Sequence, residues 1–428
     1  MRSKQPFNRI VLQNGVRLIL IPVPSVNSVA TSVLVGVGSR YETSKINGIS
    51  HFLEHMVFKG TKKYPTTDDV NIIEKIGGLQ NAYTDIDVTS FHNKALSTDW
   101  LLALEINKEL ALKPLLEQKH VDRERNVILE EMKRYEDEPA AKVEETFHQM
   151  LYPGTKLGMR IIGEEKSLRN VGAQELKDYH DSFYQPSQFV VILAGNLKSQ
   201  IPMTKEKVQE WFGSLKQQKT EDIEIVKETQ GKPKLAIVIK PDAQQAHLVL
   251  GLRTFSRTSE NRFAWNLFNL IMGVSFTSRL FKEIREKRGL CYHIRSSSSN
   301  YVDVGSWDIY AGVATEKVTL ATRAILEELG NAKDKGITED ELRVAKKRLS
   351  AMLAFKSEDP EFFSEWYGRQ EVYNMPLLTV NDYLKKITKV TKEDINRLIR
   401  KYFRTETLNM ALVWNRDKDD TLEKLLKI

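Results

Sequence analysis

Two histidines and a glutamate stand close together in His51-Phe52-Leu53-Glu54-His55. At about 100° per residue, all three polar side chains fall on one face of a helix. Two imidazoles one turn apart can hold a zinc ion, and a carboxylate between them is free to accept and return a proton. A catalytic zinc site also needs a third protein ligand and an open position. The acidic segment Asp122 to Glu138 offers Glu124, Glu130, Glu131, Glu136 and Glu138, and spacing alone does not choose among them. Glu124 and Glu131 share a face, with Val127 and Ile128 apolar between them. A helix that turns carboxylates inward while packing on a core shows that pattern. The plain alternatives are a surface turn for the histidines and a solvated charged helix for the carboxylates.

The order H-x-x-E-H inverts the H-E-x-x-H helix of zinc peptidases, so metal-assisted peptide hydrolysis is the chemistry it implies. Asn47-Gly48-Ile49-Ser50 precedes the motif and reads as a helix start with Ser50 as N-cap. Met56, Val57 and Phe58 make the rest of that helix apolar, so its polar stripe needs partners, and a metal supplies them. Around it, Arg9 to Leu12 and Val16 to Pro22 read as a hairpin turning at Gln13-Asn14-Gly15. Ala30 to Val37 reads as a buried strand, Thr67 to Ile76 as a helix closed by Gly77-Gly78, and Gln80 to Tyr83 with Val88 to Ala95 as a strand pair. Helices are expected from Thr98 to Met150, interrupted at Lys113-Pro114 and Pro139. Phe189 to Ala194 reads as a strand and Met203 to Phe212 as a helix.

At 428 residues the chain exceeds one ordinary core. The segment 216–234 is polar and aperiodic and reads as a linker between domains at 1–215 and 235–428. The halves look related. Val35-Gly36-Val37 parallels Leu250-Gly251-Leu252 at an offset of 215, which sets His51 against Asn266, Glu54 against Asn269 and His55 against Leu270. At an offset of 217, Glu124 meets Glu341 and Glu131 meets Arg348, so the second half is expected to lack the metal ligands.

Hydrophobic residues make up 41% of the chain and charged ones 28%, the balance of a soluble globular protein. The net charge of +7 is spread over mixed signs without a basic run, so nucleic acid is not an expected partner. No stretch of about 18 apolar residues occurs, which excludes a membrane helix. Cys291 is the only cysteine and Met1 to Pro6 has no apolar leader, so a reducing, cytoplasmic setting is expected.

His51-Phe52-Leu53-Glu54-His55-Met56 with Phe58-Lys59-Gly60-Thr61 resembles the M16 metallopeptidases, the family of pitrilysin and the mitochondrial processing peptidase. The resemblance extends to Asn126-Val127-Ile128-Leu129-Glu130-Glu131, to Ala194-Gly195-Asn196 and to Phe281–Tyr292, nearly the whole chain. It implies an α+β fold of two related α/β-sandwich domains, each a mainly antiparallel sheet packed with helices. It also implies one Zn²⁺ per chain on His51, His55 and Glu131, with Glu124 supporting the site and Glu54 as general base. Gly77 to Thr84 resembles the family's substrate-docking edge strand, which assigns Asn81 and Ala82 to substrate binding. Arg285 and Tyr292 match an Arg and a Tyr that the resemblance assigns to the scissile carbonyl. The length fits the short members, which close a chamber by pairing two chains, so a homodimer or a pair with a related subunit is expected. The implied activity is endopeptidase cleavage of peptides or unfolded polypeptide. The rivals are a non-catalytic partner subunit, which would be expected to lose the ligands this chain retains, and a zinc-dependent peptide-binding protein.

Overall fold

The computed structural model describes residues 6–197, 200–218, 223–227, 230–416 and 420–428. The chain forms two compact units. The first comprises Met1–Glu131, Met159–Glu224 and Ala354–Thr379, and the second Met132–Gly158, Ile225–Leu353 and Val380–Ile428. Each is a helix-packed mixed sheet, the two-domain α/β architecture expected. The units draw on both halves of the sequence, whereas a linear reading places one division at 216–234. Within that segment, 219–222 and 228–229 lie outside the described residues.

The first unit is built on strands β1 (Asn8–Val11), β2 (Arg17–Pro22), β3 (Ser28–Val35), β4 (Leu79–Thr84), β5 (Thr89–Leu96) and β6 (Phe189–Gly195). They lie in the order β1-β2-β6-β3-β5-β4. Only β2 and β6 pair in parallel; every other pairing is antiparallel. The β-branched run of β6 is buried along its whole length, as a strand covered on both faces should be. Adjacent residues of β3 show what covers it. Thr31 receives a hydrogen bond from Asn107 of helix Trp100–Leu112 at 2.8 Å, while Ser32 Oγ meets Ser364 Oγ of helix Pro360–Val372, also at 2.8 Å. Neighbouring strand residues point to opposite faces, so these two helices sandwich the sheet.

Helix Pro360–Val372 comes from the far end of the sequence. Arg9 grips Glu371 through two 2.8 Å hydrogen bonds, and Lys94 pairs with Asp359 at 2.9 Å. Gly368 permits the close approach, because a Cβ there would stand 2.6 Å from Ile192 Cδ1 and 2.9 Å from Leu34 Cδ1.

The second unit carries β7 (Lys234–Ile239), β8 (Gln245–Phe255), β9 (Cys291–Asn300), β10 (Val304–Ala314) and β11 (Asn409–Trp414), ordered β7-β11-β8-β10-β9. Here β7 and β11 pair in parallel and the rest antiparallel. Apart from β1, strand order and sense repeat those of the first unit, so the sequence duplication is structural. Helix Pro139–Leu151, from the first half of the chain, packs on β7, β8 and β11. Each half therefore lends one covering helix to the sheet of the other.

Two local expectations change. The helix expected over Thr67 to Ile76 is two short ones, Thr67–Val70 and Ile72–Lys75, which break at Asn71. Ser50 lies inside its helix, and the residue before that helix is Gly48.

Substituting Gly368→Val forces branched carbons against Ile192 and Leu34. The expected cost is about 1–3 kcal/mol, seen as a lower urea midpoint. An unchanged midpoint would mean that the helix has room to shift.

Candidate metal centre

The motif helix, Ile49–Val57, starts at Gly48, whose φ of 94° suits glycine. A Cβ at Gly48 would also stand 2.7 Å from the Ile162 carbonyl oxygen. The capping oxygen comes from a distance. Buried Glu42 accepts from Gly48 N at 2.7 Å, Ser50 N at 2.9 Å and Asn47 Nδ2 at 2.8 Å. Ser50 Oγ is engaged elsewhere, with Tyr179 OH at 2.7 Å. A carboxylate on the otherwise unpaired N–H groups of a helix N-terminus is favoured by both charge and dipole. Burial nevertheless pushes the Glu42 carboxyl up to about 7, and the bonds from Gly48 and Ser50 restrain that rise.

Ile49, Phe52, Leu53, Met56 and Val57 are buried, which leaves His51, Glu54 and His55 on the opposite, partly open face. The acidic helix Gln118–Asp137 brings Glu131 to them. Glu131 Oε2 is 3.9 Å from His51 Nε2 and 3.5 Å from His55 Nε2, and the three donor atoms lie within 4.8 Å of one another. Zinc–nitrogen bonds of about 2.0–2.1 Å separate tetrahedral donors by about 3.4 Å, so these residues fit zinc with small adjustments. Two buried polar atoms in the cluster, His51 Nδ1 and Glu54 Oε2, have no hydrogen-bond partner. Burial, with His55 beside it, drives His51 down to about 3, leaving the neutral ring that binds metals. Burial raises Glu54 above the ordinary carboxylate value, while hydrogen bonding from Thr84 opposes it.

Behind the cluster, Glu124 Oε2 lies 3.4 Å from His55 Nδ1, and Glu124 Oε1 takes Lys59 Nζ at 2.9 Å. Lys59 sits one turn beyond His55, a spacing legible in the sequence. Glu42 and Thr84 carry no such signal, because only the tertiary fold brings them here. Of the other carboxylates, Glu130 is exposed, while Glu136 and Glu138 belong to the second unit. Ile128 is buried as expected, but Val127 is 46% exposed, since it points away from the core that Ile128 enters.

Asn81 and Ala82 lie on β4, the edge strand beyond β5. The Ala82 N–H donates to the Asn81 side-chain oxygen at 2.8 Å. Arg285 and Tyr292 are in the second unit and meet each other there. The Arg285 guanidinium sits 5.1 Å from the Tyr292 ring centre and 4.8 Å from that of Phe281, and Tyr292 is 77% exposed. The counterparts of the metal residues are otherwise engaged. Asn266 donates to Tyr383 OH at 2.8 Å, and Asn269 Oδ1 accepts from Trp307 at 2.8 Å and Ser296 at 2.7 Å. Leu270 is buried, and Glu341 pairs with Arg279 at 2.6 Å. Among the described residues, the His-His-Glu group is the one set arranged to hold a metal.

Residues 17–165 match the model for insulinase, peptidase family M16, and residues 170–349 match that of the peptidase M16 inactive domain. The chain is 33% identical to the uncharacterized zinc protease YmxG of Bacillus subtilis, over 95% of this chain and 98% of that protein. It belongs to the M16 peptidase family. An uncharacterized zinc protease of Streptomyces coelicolor is 31% identical over 92% of the chain and 86% of its own length. Among solved structures, a protease from Helicobacter pylori superposes with a TM-score of 0.89 at 24% identity, covering 95% of this chain and 99% of that one. The periplasmic protease PqqL from Escherichia coli matches all of this chain with half of its own, at a TM-score of 0.80 and 19% identity. Both share the M16 fold. No helix among the described residues is long and apolar enough to cross a membrane.

The Glu42 cap makes a pH prediction. Its folded pKa, about 7, lies above the ordinary 4.5, so its contribution to stability is complete below 4.5 and is lost as pH rises through 7. In chelator, unfolding free energy should fall more steeply over that window in the parent chain than in Glu42→Gln. Parallel profiles would remove Glu42 as the source.

Proposed function

We propose that the chain is a zinc-dependent endopeptidase that cuts peptides or unfolded polypeptide segments, with one zinc per chain on His51, His55 and Glu131. The observation that carries this reading is the convergence of those three donor atoms within 4.8 Å, beside the buried and unpaired Oε2 of Glu54. The zinc-protease names of the relatives support both the metal and the peptide bond. When bound, zinc supplies a Lewis acid that polarises a carbonyl and makes water reactive near neutral pH. Glu54 takes a proton from the attacking water and returns it to the leaving amine. Glu124 receives the proton side of His55 Nδ1 and orients that ring, and Lys59 holds Glu124 in place.

The edge strand gives the substrate a backbone to pair with. Asn81 Oδ1 occupies the Ala82 N–H, and an extended peptide displaces it by adding a strand to β4. This mode reads main chain rather than folded shape, which favours unfolded segments. Arg285 and Tyr292 act on the developing oxyanion as donors. The chain works as a dimer, with a second copy or a related subunit, and the lone Cys291 suits a cytoplasmic setting.

Glu54→Gln is expected to retain zinc and to lose at least about 100-fold in hydrolysis of a quenched-fluorescent peptide. Retained turnover would remove Glu54 as the base. Glu131→Gln is expected to release zinc on dialysis, and full metal occupancy would move the third ligand elsewhere. Light scattering on the chromatographic fractions that hydrolyse the peptide should give a two-chain mass; activity confined to a single-chain species would contradict the pairing.

A further inference from the structure

Of the second unit's counterparts to the metal residues, Arg348 lines a cationic cavity, whereas Asn266, Asn269, Leu270 and Glu341 do not. The acidic helix of the first unit corresponds to helix Glu339–Lys356, and the register that aligns Glu124 with Glu341 places Arg348 at the position of Glu131. Arg348 lines a cavity of about 500 Å³ together with Arg285, Arg295, His293, Phe276 and Phe281. Among the described residues, no carboxylate forms part of its wall.

The cations differ in how far they are already neutralised. Arg295 is paired with Glu144 and donates to Ser297 Oγ at 2.7 Å. Arg285 is held against the rings of Phe281 and Tyr292. Among the described residues, the polar contact of Arg348 is a 3.4 Å hydrogen bond to the Val274 carbonyl, and its buried Nε has no partner. The terminal guanidinium N–H groups, held by one long carbonyl contact, are left to donate to an incoming anion. Phe276 is 75% exposed and lies edge-on to Phe281, with ring centres 5.0 Å apart, so the arginines are bordered by an apolar wall.

We propose that this cavity binds the C-terminal carboxylate of a peptide, with Arg348 as its principal partner and the Phe276–Phe281 wall receiving the terminal side chain. At the position of Glu131 the second unit carries Arg348, a cation where the first unit has an anion. A planar carboxylate matches the guanidinium fork, and an apolar wall beside it suits an amino-acid residue better than a bare inorganic ion. The proposal rests on the peptidase reading for the identity of the ligand as a peptide, but its test is read by binding.

The test uses the full chain carrying Glu54→Gln and a fluorescein-labelled unstructured peptide ending in leucine, made as the free acid and as the C-terminal amide. Anisotropy titration is expected to show the acid binding about tenfold more tightly than the amide, the scale of one charge-assisted hydrogen bond. Adding Arg348→Gln should bring the acid to the affinity of the amide and leave the amide unchanged, while Arg348→Lys keeps part of the preference. Equal affinities of acid and amide, or a preference that survives Arg348→Gln, overturn the proposal. Inorganic phosphate is the control. Arg348-dependent phosphate binding alongside indistinguishable peptides would assign the cavity to the free ion and overturn the proposal too. The acid–amide comparison stands without the arginine variants, should they not fold. Failure of the parent chain to hydrolyse any peptide would defeat the peptidase reading and leave this binding result intact.

Discussion

Phe52, Leu53 and Met56 are buried completely, and that leaves the motif helix one rotation in which to sit. The same rotation turns His51, Glu54 and His55 to one side, and the Glu42 carboxylate on Gly48 and Ser50 fixes where the helix begins. Core packing and a buried cap thus set the positions of groups that do not pack. The acidic helix obeys the same constraint: Val121 and Ile128 enter the core, which carries Glu124 and Glu131 toward the histidines. The result is two imidazoles and three carboxylates crowded together, with His51 Nδ1 and Glu54 Oε2 buried and unpaired among the described residues. A cation held among the two imidazole Nε2 atoms and Glu131 Oε2 offsets the repulsion between the crowded carboxylates.

The second unit shows what the same frame does when the metal residues are absent. Its sheet repeats the strand order and sense of the first, yet the equivalent helix offers Asn266, Asn269 and Leu270. Neutral hydrogen bonds to Tyr383, Trp307 and Ser296 satisfy the two asparagines, and Arg279 takes Glu341. The exchange of covering helices, Pro139–Leu151 for one sheet and Pro360–Val372 for the other, ties the duplicated halves together through their own cores.

Much of this was readable from the residues. The hairpin at Asn14-Gly15, the β4–β5 pair and the motif helix carry local signals in turn chemistry, alternation and helical spacing, and the duplication left two nearly equal offsets. The parts that were not legible depend on distant contacts. Ser50 has the right side chain for a cap, but Glu42 reaches the same N–H groups from six and eight residues away, and Ser50 turns to Tyr179. Helical spacing left five carboxylates open, and only burial separates Glu124 and Glu131 from exposed Glu130. The helix exchange has no local signature, because nothing within helices Pro139–Leu151 and Pro360–Val372 says which sheet they cover.

The central claim is that two imidazoles and one carboxylate of the first unit hold a single zinc. Zinc K-edge X-ray absorption on the metal-loaded chain, with metal quantified on the same sample, tests it most directly. The account predicts one zinc per chain with nitrogen and oxygen neighbours at about 2.0–2.1 Å, a multiple-scattering signal from two imidazoles and no sulfur. A sulfur shell at about 2.3 Å, which would bring in Cys291, or a chain that binds no zinc, would contradict it.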